Sequence, residues 1–178
     1  MRTYSTTSLC RKRPALTVHQ MAAELIFSEL RSSRVNYPNR FHSMAEAVSV
    51  LEEEIDELRD AIRANIVEHA RAEAVQVGAM ALRLTIDMRE GQPSAAVDRL
   101  AVQSVVARAR HSEPAEPLVS AHEGKGFIRG CHEQMCFAIA QGDLEKVTRA
   151  SADIAVLALR FVAEVPAVSA IQVSGSRG

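Results

Sequence analysis

Ser43-Met44-Ala45-Glu46 opens the run SMAEAVSVLEEEIDELRDAIRAN, residues 43–65, and that run is written for a helix. Ser43 and Glu46 have the spacing of a capping box, in which two side chains satisfy backbone N–H groups that the first helical turn leaves without partners. Val50, Leu51, Ile55, Leu58 and Ile62 then fall on one side and give the helix an apolar stripe. Upstream, Val18, Met21, Ala22, Leu25, Ile26 and Leu30 place a helix over 17–33, which Asn36-Tyr37-Pro38-Asn39 breaks. Downstream, a third helix is predicted from about Val67 to Met88, closed by Arg89-Glu90-Gly91-Gln92-Pro93.

The pattern then begins again. Residues 94–110 are amphipathic at helical spacing, and Pro114 and Pro117 break them. Ser120-Ala121-His122-Glu123 is a second capping box, and its helix ends near Gly142. Asp143 caps a last helix to about Val165. The offset that carries Ser43 onto Ser120 holds without gaps: Ala61-Ile62 falls on Ala138-Ile139, and Ala81-Leu82-Arg83 on Ala158-Leu159-Arg160. The predicted fold is therefore all-α, a helical bundle of two three-helix repeats packed as a pseudo-dimer. The repeats occupy 17–90 and 94–167, between a disordered arm at 1–16 and a flexible tail at 168–178.

Composition fits this reading. The chain has 178 residues, 47% of them apolar, enough for one shared core, and the low aromatic content of 4% leaves Ala, Leu, Val, Arg and Glu to favour helix. A net charge of -1 gives no general nucleic-acid footprint, and the one basic cluster, Arg11-Lys12-Arg13, lies in the Ser/Thr-rich arm. No apolar run reaches the roughly 18 residues that span a bilayer, so no membrane partner is expected. The N-terminus has no apolar segment of a secretory signal, although a transit peptide stays open because no acid precedes Glu24. Cys10, Cys131 and Cys136 are too few and too oddly spaced for a disulfide framework, which points to a reduced cytoplasm.

The chemistry concentrates in Leu51-Glu52-Glu53-Glu54-Ile55-Asp56-Glu57-Leu58. Glu54 and Glu57 are three apart and share a helix face, and Glu54 borders the apolar stripe, where a carboxylate wants a partner. Glu52 and Asp56 are read as facing water. The third helix is apolar nearly all round, yet carries Glu73, Gln76, Arg83 and Asp87 on one side. Two helices offering carboxylates inward would pair through a hard cation, Mg²⁺ or Mn²⁺. The plainer alternative is a solvated acidic face.

Phe41-His42-Ser43, Glu53-Glu54-Ile55-Asp56-Glu57-Leu58 and Glu73 through Arg83 together resemble the MazG-like all-α nucleoside triphosphate pyrophosphohydrolases, particularly the small phage-type members. The resemblance covers about residues 20–90. The family pattern is EExxE followed by ExxD on the next helix; here Gln76 stands at the Asp position. What the resemblance implies is hydrolysis of a nucleoside or deoxynucleoside triphosphate to monophosphate and pyrophosphate, with purine deoxynucleotides such as dGTP among the candidates. Glu54, Glu57 and Glu73 would hold the metal, Gln76 would assist, and Glu53 would either orient or deprotonate the attacking water or be a surface acid. It also implies a homo-oligomer, dimer or tetramer, in the cytoplasm, a host's if the chain is phage-encoded.

In the second repeat Glu53, Glu54 and Glu57 map onto Gly130, Cys131 and Gln134, Glu73 onto Ala150 and Gln76 onto Asp153, so that repeat reads as catalytically silent. Arg83, His122 and Lys125 are the candidates for substrate contact; for His122 and Lys125 the alternative is that Ser120 and Glu123 merely cap a helix. Gly124-Lys125-Gly126 lacks P-loop spacing, and Cys131, His132 and Cys136 lack a fourth ligand for zinc. Two rivals remain: a helical scaffold with the same fold and no activity, and a house-cleaning enzyme for modified nucleotides.

Overall fold

The computed structural model describes residues 16–89, 92–112 and 116–166, so the expectations for the basic cluster of the arm, for Cys10, for Glu90, Gly91 and Pro114, and for the tail lie outside the described residues. Among those described, six helices follow one another: α1 (Val18–Asn36), α2 (Met44–Arg63), α3 (Val67–Asp87), α4 (Ala95–Ala109), α5 (Ala121–Ala140) and α6 (Leu144–Glu164). No strand occurs among the described residues. None of the helices is long and apolar enough to cross a membrane.

The helix bounds recur at the offset read from the sequence. Met44 and Arg63 of α2 fall on Ala121 and Ala140 of α5, and Val67 and Asp87 of α3 fall on Leu144 and Glu164 of α6. The first residue of α1, Val18, falls on that of α4, Ala95, but α4 is shorter, 15 residues against 19. The local chemistry recurs with them. Ser43 and Ser120 each accept a hydrogen bond from the backbone of the glutamate three residues on, Glu46 and Glu123. The two glutamates reach past the cap and accept from the backbone N–H of His42 and Val119. At the other end of each long helix the chain turns through a left-handed residue, Asn65 with φ 57° and Gly142 with φ 68°, as glycine and asparagine tolerate. Ile66 N–H then bonds the Ala61 carbonyl at 3.2 Å and Asp143 N–H that of Ala138 at 3.0 Å, which is how a Schellman turn satisfies the last carbonyls.

The core forms where α3 meets α6. Ala74, Val77, Ala81 and Leu84 of α3 and Ile154, Ala155, Ala158 and Phe161 of α6 are fully buried. The residues are small where the helices approach: a Cβ built on Gly78 would stand 3.4 Å from that of Ala158 and 2.8 Å from Ile26 Cδ1. Ser151 Oγ donates to the Ala81 carbonyl across this contact at 2.9 Å. α2 packs on α3, α5 on α6, α1 lies along both α3 and α6, and α4 rests against α1 and α6. One continuous apolar cluster therefore runs through all six helices.

The polar residues of α3 part company. Arg83 and Asp87 sit buried at its C-terminal end, where Arg34 pairs with Asp87 at 3.0 Å and with the buried Asp98 at 2.8 Å. Glu73 and Gln76 lie toward the other end and face α2.

Candidate functional site

Helical spacing puts Glu54 and Glu57 one turn apart on α2, and the packing of α2 on α3 brings Glu73 to them. Oxygen atoms of the three carboxylates lie within 4.8 Å of one another. Their surroundings grade from solvent to core: Glu57 is exposed, Glu54 half-buried and Glu73 buried. Glu73 is held from both sides, by His69 Nε2 at 2.7 Å and by the Gln76 side-chain amide donating at 2.9 Å. Glu54 has no such support. Its Oε2 is buried and makes no hydrogen bond among the described residues. Burial, and then the negative charges of Glu57, Glu73, Glu29 and Glu53, push the Glu54 carboxyl up to about 7.

Glu54 and Gln76 face a cavity of about 690 Å³ that lies between α1, α2, α3 and the 37–43 connection. Glu53 lies on its wall, as do Glu29, Asn36, Asn39, Phe41, Val50 and Met80. The lining thus combines acidic side chains with amide, aromatic and aliphatic groups. The volume suits a nucleotide-sized ligand.

Arg83 borders this cavity but spends its N–H groups on the protein. It donates to the Ser33 carbonyl and hydroxyl at 3.3 Å, to the Tyr37 and Asn39 carbonyls at 2.7 and 2.8 Å, and pairs with Asp87 at 3.5 Å. Its guanidinium also lies 4.8 Å from the centre of the Phe41 ring. Arg83 thus lines the cavity, where a substrate contact is expected of it, and also fixes the connection that roofs it. His122 and Lys125, the other candidates for substrate contact, lie elsewhere. Neither lines the cavity; His122 instead faces a separate cleft of about 270 Å³ with Ile62, Asn65 and Val165. The capping alternative describes what Ser120 and Glu123 do there.

Glu52 is exposed as expected, with 46% of its side chain open to solvent, and its Oε1 also lies 3.2 Å from His132 Nε2 of α5. Asp56 faces solvent as expected and pairs with Arg59 at 2.7 Å. Glu29 was not legible as a site residue, although a signal existed: it sits in register with Ala22, Ile26 and Ser33 on the buried face of α1, where an acid is out of place.

On α5 and α6, Gly130, Gln134, Ala150 and Asp153, the positions onto which the sequence offset carries Glu53, Glu57, Glu73 and Gln76, line an open groove with Lys146 and Arg149. Asp153, the one acid of that set, pairs with Arg108. Among the described residues, the carboxylate triad of the first repeat has no counterpart there.

No family model matches the chain, and searches of the curated proteins and of the solved structures return no match.

Proposed function

We propose that the chain is a metal-dependent nucleoside triphosphate pyrophosphohydrolase of the MazG-like kind, with one active site per chain, in the first of two duplicated helical repeats. The observation that carries this reading is the buried, unpartnered Oε2 of Glu54 beside Glu57 and Glu73, at the edge of a nucleotide-sized cavity. An oxygen so placed calls for a proton or a cation. The donor set, three carboxylates with the nearby His69 imidazole paired to Glu73, fits a hard divalent ion such as Mg²⁺ or Mn²⁺. Bound by Glu54, Glu57 and Glu73, the ion would offset phosphate charge and acidify a water.

The protein's own groups do the rest. Glu53, exposed at the cavity wall, accepts the proton of a water that attacks the α phosphorus; the α–β bridge breaks and pyrophosphate leaves. Gln76 uses its amide to hold Glu73 in place. An aspartate at this position would have no proton to give Glu73, which supplies a reason for the exchange. Asn39 and Phe41, held by Arg83, form with Asn36 the wall best suited to the base.

The duplication is supported by the recurrence of helix bounds, caps and left-handed turns at one constant offset. It gives a reason for a silent second half: α5 and α6 supply the packing surface that a second subunit would otherwise bring.

A panel of nucleoside and deoxynucleoside triphosphates, incubated with Mg²⁺ or Mn²⁺ and resolved by chromatography, tests the proposal. Monophosphate and pyrophosphate are expected as products. Release of inorganic phosphate would mean another reaction, and absence of turnover across the panel would favour the inactive scaffold.

A further inference from the structure

α2 carries a second group of potential ligands on another face, shared with α5. His132 and Cys136 are one helical turn apart on α5, so their side chains point the same way. Glu52 reaches them across the α2–α5 contact. Glu52 Oε1 lies 3.2 Å from His132 Nε2, which lies 3.5 Å from Cys136 Sγ, and the sulfur lies 4.0 Å from the same carboxylate oxygen.

Hydrogen bonding alone serves this arrangement poorly. One imidazole nitrogen faces both the carboxylate and the sulfur. If Nε2 carries the proton, it donates to Glu52 and leaves Cys136 only a 4.0 Å approach to an acceptor. If Nε2 is bare, it accepts from the thiol but turns a lone pair on Glu52. What the three atoms have in common is an electron pair to offer a cation and a position within 4.8 Å of one another.

A tetrahedral zinc ion, with bonds of about 2.3 Å to sulfur and about 2.0–2.1 Å to nitrogen and oxygen, holds its ligand atoms roughly 3.3–3.6 Å apart. Of the three separations here, 3.5 Å falls in that range, 3.2 Å lies just below it, and the third closes with a shift of a half-exposed glutamate. We propose that Glu52, His132 and Cys136 form a binding site for a thiophilic divalent cation of the zinc class, with a fourth position open to solvent. Cys131 takes no part, since it packs against the apolar core.

The site is chemically distinct from the three carboxylates. Thiolate and imidazole select zinc or cobalt over magnesium, whereas the all-oxygen set prefers the hard ions. It also joins α2 and α5, which otherwise touch little, so occupancy adds a second link beside the α3–α6 contact.

The test uses the full reduced chain with Mg²⁺ in excess, titrated with Co²⁺ and then with Zn²⁺. One equivalent of Co²⁺ is expected to give a thiolate-to-cobalt charge-transfer band and intense tetrahedral visible bands, both bleached by Zn²⁺. Cys136→Ser should abolish the charge-transfer band, His132→Ala should lose tight binding, and Cys131→Ser and Cys10→Ser should keep the band. Zinc K-edge absorption on the unmodified chain gives a reading that needs no variant: one sulfur at about 2.3 Å is expected. A parent protein without the band, a band that survives in Cys136→Ser, or a zinc shell of oxygen and nitrogen alone would overturn the proposal. None of these readings depends on nucleotide hydrolysis, so the failure of one proposal leaves the other standing.

Discussion

Arg83 and Arg160 stand at the same place in α3 and α6, in the last turns of each helix. Each is buried, and each pairs with the carboxylate four residues on, Asp87 or Glu164. Each donates to a serine carbonyl and hydroxyl, Ser33 in the last turn of α1 or Ser112 just beyond α4. Each also reaches into the connection that follows, Arg83 to the Asn39 carbonyl and Arg160 to that of Glu116, which is the position equivalent to Asn39. A lysine could carry the charge but not the fork, because its three donors leave from one atom. Arg83→Lys and Arg160→Lys should each destabilise the fold by about 3 kcal/mol, the scale of breaking a buried, hydrogen-bonded ion pair. Denaturant unfolding followed by circular dichroism measures both. Losses below about 1 kcal/mol would show that the connections hold without them.

A packing exchange between the halves offers a second test. Ala47 and Leu84 of the first repeat correspond to Gly124 and Phe161 of the second, and a Cβ on Gly124 would lie 2.6 Å from Phe161 Cδ2. The ring is fully buried and cannot swing away. Gly124→Ala should destabilise by about 2 kcal/mol through overpacking, despite the gain of roughly 1 kcal/mol in helix propensity. Phe161→Leu in the same chain should recover most of that loss, because it restores the first repeat's pairing. A double-mutant cycle without coupling would contradict the volume exchange.

Glu54→Gln keeps the shape of the side chain and removes its charge. If Glu54 grips the catalytic ion, steady-state turnover should fall roughly a hundredfold, about 3 kcal/mol of transition-state stabilisation. Without metal the same variant should be as stable as the parent or more so, since three crowded carboxylates repel one another. Asp56→Asn, on the solvent side of the same helix, is the control and should change neither quantity. Parent-like activity in Glu54→Gln would remove the metal site.

The raised pKa of Glu54 predicts a pH dependence of opposite sign to that of most carboxylates. The folded chain holds this proton up to about pH 7, while the unfolded chain releases it near 4.5. Stability of the metal-free protein should therefore fall as pH rises from about 4.5 to 7, and Glu54→Gln should flatten that slope. Glu46, Asp143 and Glu164 are lowered instead, so their contribution is lost only on acidification below about 4.5 and does not blur the window. A slope unchanged by the substitution would place the proton elsewhere.

Gln76→Asp removes the amide proton that Glu73 accepts and sets a second charge beside it. Mn²⁺ affinity measured by calorimetry should rise, because the added charge favours a cation, and metal-free stability should fall. If Gln76 instead contacts the nucleotide, affinity for a non-hydrolysable triphosphate should drop. Unchanged metal affinity, nucleotide affinity and stability together would place Gln76 outside the site.

The sequence by itself determined the six helices, the recurrence of their bounds and caps at one offset, and the meeting of Glu54 with Glu57. These are local matters. Caps, breaks and apolar periodicity act over a few residues, and a helix brings residues three apart together whatever surrounds it. The approach of Glu73 needed only the assumption that α2 packs on the helix that follows. Tertiary structure alone decided which polar groups found partners. Arg83 reads from sequence only as a substrate contact, because its protein partners are invisible there; in the fold it also donates to the carbonyls of Tyr37 and Asn39, far back along the chain. Glu29 joins the site from α1, His122 and Lys125 fall away from it, and Glu52 meets His132 and Cys136 from the other repeat. Side chains on separate helices meet only where crossing angle and register bring them together, and packing of the core sets those, with no local pattern to announce them.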